Sequence, residues 1–305
     1  MLLTIVNMDV PMTSRRCREV IRQLSETYGF PTKQLTTTAW GRPMTALTVG
    51  NGGRRVLFSA AHHANEWITA PILLKFAEDL GRGGTLYGVD AGLILRNCTI
   101  HLVPMVDPDG VDLVTGEIRP GTLEFESART LADNYPSVPF PDGWKANLLG
   151  VDLNLQYPAG WLQAREIKFS QGFDRPGPRD YVGRSPLSQL ETIALAEYTE
   201  EVDPALVLAY HTQGQEIYWQ FEDYFVPGAR ELGEEFARVS GYALADTPYA
   251  SSFAGYKDWF IQRFRRPGFT IEAGLGENPL PIEQFDEIYR DNIGILVTAA
   301  LGLPA

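Results

Sequence analysis

Four histidines occur in the 305-residue chain, at positions 62, 63, 101 and 211, and His63 and His211 stand at the ends of β-rich runs. His63 and Glu66 lie three residues apart where an apolar strand gives way to a helix, so an imidazole and a carboxylate can face one point. Zinc accepts His nitrogen and Glu oxygen, and a catalytic site keeps three protein ligands and an open position for water, two His and one Glu being one such set. His211 supplies the third ligand, which implies one Zn2+ per chain. His62 alternates with His63 and is expected to point away from the metal. His101, inside TIHLVPMV, is expected to be a core or strand-edge histidine. A lone HxxE spacing also has a plain alternative, a helix-start carboxylate beside a surface histidine, so the case must draw on other segments.

The elements that position these residues follow from periodicity. Thr13 and Ser14 precede Cys17, Val20, Ile21 and Leu24 at helical spacing, which predicts an amphipathic helix over about 12–29 that packs on the rest. Residues 44–49 and 56–60 are β-rich and flank Asn51, Gly52 and Gly53, the composition of a tight turn, which predicts a hairpin with a buried second strand. HHANEW follows directly and opens the helix of ITAPILLKFAEDL, which glycines near 81–84 close. Ligands and catalytic groups gather at such strand-to-helix junctions in open α/β sheets. Residues 99–103 read as another buried strand, and the Gly- and Pro-rich stretch from there to Gly150 as a long functional loop. Ser185 and Pro186 predict the start of a helix over about 187–201. Residues 205–210 form a strand with His211 at its end, residues 269–272 repeat the pattern with Glu272, and a last helix covers about 283–301.

Composition narrows the functional classes. With 44% hydrophobic and 21% charged residues the chain is an ordinary globular protein, and without linker, repeat or low-complexity tract it reads as a single domain over 1–305. A net charge of −12 argues against a nucleic-acid partner. The run Arg263, Arg265 and Arg266 reads as a solvated face. Two cysteines, Cys17 and Cys98, are expected to be reduced thiols of a cytoplasmic protein. The amino-terminal stretch lacks the basic and long apolar regions of a signal peptide, and no segment is apolar enough for a membrane span. Oligomeric state is left open.

Several segments, taken in order, resemble the zinc carboxypeptidase family, the carboxypeptidase A-like metallopeptidases. His63 and Glu66 match its HxxE ligands and His211 in LAYHTQG its later ligand. Asp107-Pro108-Asp109-Gly110 resembles its NPDG segment with Asp for Asn, Gly150 to Asn154 its GVDLN segment, and Thr270-Ile271-Glu272 the strand of the catalytic glutamate. The resemblance covers about residues 40–300. It implies one α/β domain with a mixed, mostly parallel twisted sheet of about eight strands flanked by helices. It also implies that Glu272 takes a proton from the metal-bound water and passes it to the leaving amine, and that Asp152 orients the His63 ring. Trp144-Lys145-Ala146-Asn147 resembles the family's WRKN segment, which puts Lys145 where an arginine stabilises the developing oxyanion.

The pattern is broken in an informative place. Exopeptidases of the family carry NRN after the GVDL segment to grip a terminal carboxylate, whereas here Asn154-Leu155-Gln156 keeps Asn154 and Gln156 as candidate substrate-binding residues around a leucine that cannot pair with a carboxylate. No tyrosine follows the Asp258-Trp259 pair within 258–261, where the family's mobile tyrosine is sought. Both departures argue against ordinary carboxypeptidase action unless another cation, such as Arg263 or Arg266, takes over. Within the family, VDLNLQYPAGW, YHTQG and GLGENPLP resemble the γ-D-glutamyl-L-diamino acid endopeptidases. That implies hydrolysis of the γ-D-glutamyl bond to meso-diaminopimelate (or Lys) in a murein-derived peptide, by a cytoplasmic enzyme recycling wall fragments. The alternatives are a cytosolic metallocarboxypeptidase or amidase acting on other peptides or N-acyl amino acids, and a metal-free binding protein for wall fragments.

Overall fold

In the computed structural model, which describes residues 4–303, Thr13 accepts a hydrogen bond from the Arg16 amide and starts helix α1 (Ser14–Tyr28). Cys17, Val20, Ile21 and Leu24 are its buried residues, and Gly29 ends it in the left-handed conformation that glycine adopts without strain. Strands β1 (Thr32–Thr37), β2 (Pro43–Val49) and β3 (Arg54–Ala60) follow, then α2 (Ala70–Arg82). A small hairpin of β4 (Thr85–Leu86) and β5 (Val89–Asp90) leads to α3 (Ala91–Asn97) and β6 (Cys98–Val103). After α4 (Pro108–Val114), α5 (Leu123–Ala132), α6 (Trp161–Ser170) and α7 (Leu190–Val202) come β7 (Val207–His211) and β8 (Glu216–Tyr218). The chain continues through α8 (Ala229–Ser240), β9 (Ala243–Ala245), α9 (Tyr256–Phe264), β10 (Gly268–Glu272) and α10 (Phe285–Leu301).

Eight strands form one sheet in the order β1-β2-β6-β3-β7-β10-β8-β9. The centre, β6-β3-β7-β10, is parallel, as is β8-β9, while β1-β2, β2-β6 and β10-β8 are antiparallel. This is one α/β domain with a mixed, mostly parallel sheet. Central parallel strands are covered on both faces, and β3 shows it: Val56, Phe58 and Ala60 join the core with α1, α2, α8 and α10, while Leu57 joins the opposite core with α7 and α9. A period of two thus splits one apolar run between two layers of helices.

Three sequence expectations need correction. Strands β2 and β3 are not a hairpin, because β6 lies between them, antiparallel to β2 and parallel to β3. Gly52 serves a different purpose from a two-strand turn: a Cβ there would lie 1.9 Å from the Asn97 carbonyl carbon, so the connection crosses the start of β6 at a distance only glycine permits. The stretch to Gly150 is not one loop; Asp107 and Thr122 cap α4 and α5, which share a small core with Trp144 and Leu148. Helix α7 begins at Leu190, with Leu187 still at φ +48° before it. Among the described residues no helix is long and apolar enough to cross a membrane.

Candidate metal centre and active-site cleft

The parallel register sets three strand ends level. Ala60 pairs with Tyr210, and His211 with Glu272, so the chain leaving β3, the last residue of β7 and the last residue of β10 meet along one edge of the sheet. The chain runs from β3 outward to β6 and returns on the other side at β7, which opens a crevice at the carboxyl ends, where such sheets bind ligands.

His63 and Glu66 lie on the short 3-10 turn Ala64–Thr69 that follows β3. Helix α4 holds this turn from beneath, and a Cβ on Gly110 would meet the Asp107 carboxylate at 2.2 Å, the Ala146 carbonyl at 2.6 Å and the Ala64 methyl at 2.8 Å. Glycine is therefore required for that approach. Asp107 accepts from the Gly110 amide, and burial pushes its carboxyl well above the ordinary range. A neutral Asp107 has the shape of the family's asparagine.

The side chains of His63, Glu66 and His211 converge. His63 Nδ1 is 2.9 Å from Glu66 Oε1, His211 Nδ1 is 2.8 Å from Glu66 Oε2, and the two Nδ1 atoms are 3.3 Å apart. Among the described residues this is the one group of three His, Cys, Asp or Glu side chains close enough to share a metal ion, and all three are buried. Ligands each ~2.0–2.1 Å from a tetrahedral ion stand about 3.3 Å apart, and two imidazoles with a carboxylate are a donor set of zinc. Three ligand atoms of that kind crowd one point, so the residues fit a single divalent cation.

Electrostatics agree. Burial opposes a charged His63 ring, but Glu66 and Asp152 outweigh it and raise its pKa to about 9. Burial keeps His211 below its ordinary value despite Glu66. Burial alone would raise Glu66, yet His63, Lys145 and His211 hold it well below the usual carboxylate range. Asp152 receives His63 Nε2 at 3.0 Å and the Asn154 and Asp180 amides at 3.1 and 3.3 Å, which fixes the ring with Nδ1 toward the centre. Behind His211, the Thr212 amide donates to Glu66 Oε2 at 3.3 Å, and Asn278 brackets Thr212 through both its hydroxyl and its carbonyl.

A cavity of about 560 Å³ opens on this group, lined also by Lys145, Asp152, Asn154 and Glu272. Burial first, then the Glu66 carboxylate, pushes Glu272 up to about 8. Lys145 Nζ sits 3.0 Å from Glu66 Oε1, beside the metal centre. Asn154 faces the cavity while its Oδ1 accepts from the Tyr256 amide.

The remaining expectations fare differently. Gln156 does not reach the cavity: it is 0% exposed, and its amide binds the Val182 and Ser185 carbonyls and the Ser188 amide, clamping the segment before α7. Its substrate-binding role is withdrawn on that ground. His62 is not one of the converging ligands and does not line the cavity; its ring stacks 5.5 Å from that of His211 and lies 5.6 Å from that of Tyr256. His101 sits on β6 against the Tyr198 hydroxyl at 2.8 Å. Arg263 and Arg266 pair with Glu200 and Asp203, and neither lines the cavity. The cations that do line it, besides Lys145, are Lys168, Arg179 and Lys257, none of which the sequence pointed to. Tyr218 also lines it, and Tyr249, before rather than after the Asp258-Trp259 pair, is exposed nearby in the chain.

Comparison with known proteins fits this geometry. The family model described as zinc carboxypeptidase matches residues 17–294. The chain belongs to the zinc carboxypeptidase family. Its metal ligands, mixed sheet and strand-end glutamate make it a zinc-dependent peptidase of that family. The chain is 45% identical over 282 residues to the γ-D-glutamyl-L-diamino acid endopeptidase 1 of Lysinibacillus sphaericus, covering 91% of this chain and 69% of that protein. Among solved structures, the zinc carboxypeptidase fold recurs in the carboxypeptidase A of Helicoverpa armigera, at TM-score 0.72 and 17% identity over 99% of this chain and 76% of that one. It recurs also in the murein-tripeptide amidase MpaA of Escherichia coli O157, at TM-score 0.54 and 20% identity over 92% of this chain and 96% of that one.

Proposed function

We propose that the protein hydrolyses the γ-D-glutamyl amide bond to meso-diaminopimelate (or Lys) in murein-derived peptides. The observation that carries the reading is the cleft itself: a complete metal ligand set stands beside Leu155, which replaces the family's carboxylate-gripping arginine, while Lys168, Arg179 and Lys257 line the walls. Murein peptides carry free carboxylates away from the scissile bond, and distributed cations suit them. The 45% identity to a protein named for this activity supports the same substrate.

His63, Glu66 and His211 would hold the zinc, and Asp152 orients His63. Bound there, zinc lowers the pKa of a coordinated water toward ~7 and polarises a carbonyl. Glu272, at the end of β10, takes the attacking water's proton and delivers it to the leaving amine. Lys145 donates to the carbonyl oxygen as negative charge develops, as a point charge rather than a fork. Asn154 contributes a polar contact to the substrate. Cys17 and Cys98 are both buried and unbridged, which supports a cytoplasmic site of action on recycled fragments.

Incubating the zinc-loaded protein with defined murein tripeptide and tetrapeptide, and with an α-linked peptide of free carboxyl terminus, tests the proposal. Mass spectrometry should find cleavage between D-Glu and the diamino acid. Loss of single carboxyl-terminal residues from the α-peptide, with the murein peptides intact, would refute it and favour a metallocarboxypeptidase.

A further inference from the structure

The cleft continues past the metal centre into a second cavity of about 850 Å³ that touches none of the metal ligands. Val138, Lys145, Arg179, Tyr218 and Glu272 line both cavities, so they mark the junction at which a bound peptide passes the reacting groups. Two cations are among them. Lys145 is committed to the metal centre, 3.0 Å from Glu66. Arg179 is held differently. Its Nε donates to Asp180 Oδ2 at 2.7 Å, Lys168 holds the other Asp180 oxygen at 2.6 Å, and the Asp180 amide donates to Asp152. The Lys145 and Ala146 amides both donate to the Pro178 carbonyl just before it. Among the described residues the two terminal nitrogens of Arg179 have no hydrogen-bond partner, and its side chain is 38% exposed.

A guanidinium fixed through Nε and free at both ends is a preorganised receptor for one carboxylate. The first cavity offers Lys168 and Lys257 as further cations, whereas the second has only Lys145 and Arg179 among its described lining residues. A carboxylate that lies beyond the scissile carbonyl, in the second cavity, therefore has Arg179 to meet. In a γ-linked glutamyl residue the free α-carboxylate branches a few bonds from the scissile carbonyl on its acyl side. An ordinary α-linked peptide has no main-chain carboxylate there.

We propose that Arg179 binds the free α-carboxylate of the γ-linked glutamyl residue and is the residue that selects this isopeptide over α-linked peptides. The inference rests on the substrate reading given under the proposed function.

The test compares kcat/KM of the zinc-loaded wild type, Arg179→Gln and Arg179→Lys on three forms of the murein tripeptide: unmodified, with the D-Glu α-carboxyl as carboxamide, and with the diamino acid α-carboxyl as carboxamide. The wild type should favour the unmodified peptide over the D-Glu carboxamide by about 10- to 100-fold, the worth of one charged hydrogen-bonded pair. In Arg179→Gln that ratio should fall to about one, in Arg179→Lys to an intermediate value, with zinc content and melting temperature retained in both. A ratio that persists in Arg179→Gln, an equal loss on all three peptides, or a collapse confined to the diamino acid carboxamide would overturn the inference and leave the substrate reading standing. Failure of the wild type to cleave the unmodified peptide would overturn both.

Discussion

At the scale of single residues, the chemistry turns on which groups carry a proton. Glu272 and His63 both face the centre, but the roles proposed for them differ, so their variants should fail differently. Glu272→Gln should keep its metal and lose turnover by about 10²- to 10⁴-fold, whereas His63→Ala should lose metal and activity together; metal analysis beside kcat separates the two. Near-normal turnover in Glu272→Gln would remove the general base from the mechanism. Asp107 gives a second residue-scale prediction, because burial raises its carboxyl above its ordinary value near 3.8. Below that value folded and unfolded chains both hold the proton. As pH rises past it the unfolded chain ionises while the native carboxyl resists, so native stability is lost progressively toward the folded pKa. Asp107→Asn should therefore melt higher than the wild type, with a gap that widens as pH rises above about 4. A pH-independent gap would contradict a neutral buried carboxyl.

At the scale of elements, the metal loop is only as precise as the packing beneath it. Gly110→Ala places a methyl against the Asp107 carboxylate, the Ala146 carbonyl and Ala64 at once, and two of those three neighbours are stiff backbone or a short fixed side chain. Overpacking of this kind costs about 1–3 kcal/mol. Because α4 supports the turn that carries Glu66, denaturant unfolding should show this loss together with weakened zinc affinity. A destabilised variant with unchanged zinc affinity would show that α4 does not position the ligands. The Asp107 to Gly110 segment thus acts as a support beneath the metal loop.

At the scale of the whole molecule, metal binding and folding are linked equilibria, since the ligands come from two strand ends separated by about half the chain. Zinc at 100 times its dissociation constant should add about 2.7 kcal/mol to stability, so chelation should lower the melting temperature. The two carboxylates beside His63 hold a proton on it up to about pH 9 in the metal-free site, and a metal must displace that proton from Nδ1. Calorimetry at pH 7 in buffers of different ionisation enthalpy should find at least one proton released per zinc, with apparent affinity rising as pH rises. Absence of proton release at pH 7 would mean that His63 is already neutral.

His63, Glu66, His211 and Glu272 were legible in the chain because each sits at a strand end or helix start, and local patterning marks those places. The buried alternation in β3, the cap at Thr13 and the stop at Gly29 were legible for the same reason: nearest neighbours determine them. What the chain could not disclose is which distant segments come to lie beside one another. Inserting β6 between β2 and β3 turned an apparent hairpin into two separated strands, since sequence adjacency sets the length of a connection and not what passes through it. Gln156 looked like a ligand for substrate until the segment before α7 folded over and consumed its amide. Arg263 and Arg266 were spent on surface carboxylates, and Lys168, Arg179 and Lys257 reached the cleft from a helix, a loop and another helix with no shared motif. Local propensity and covalent order selected the elements and the metal chemistry. Long-range packing and charge pairing, which depend on all elements at once, decided which cations face the substrate.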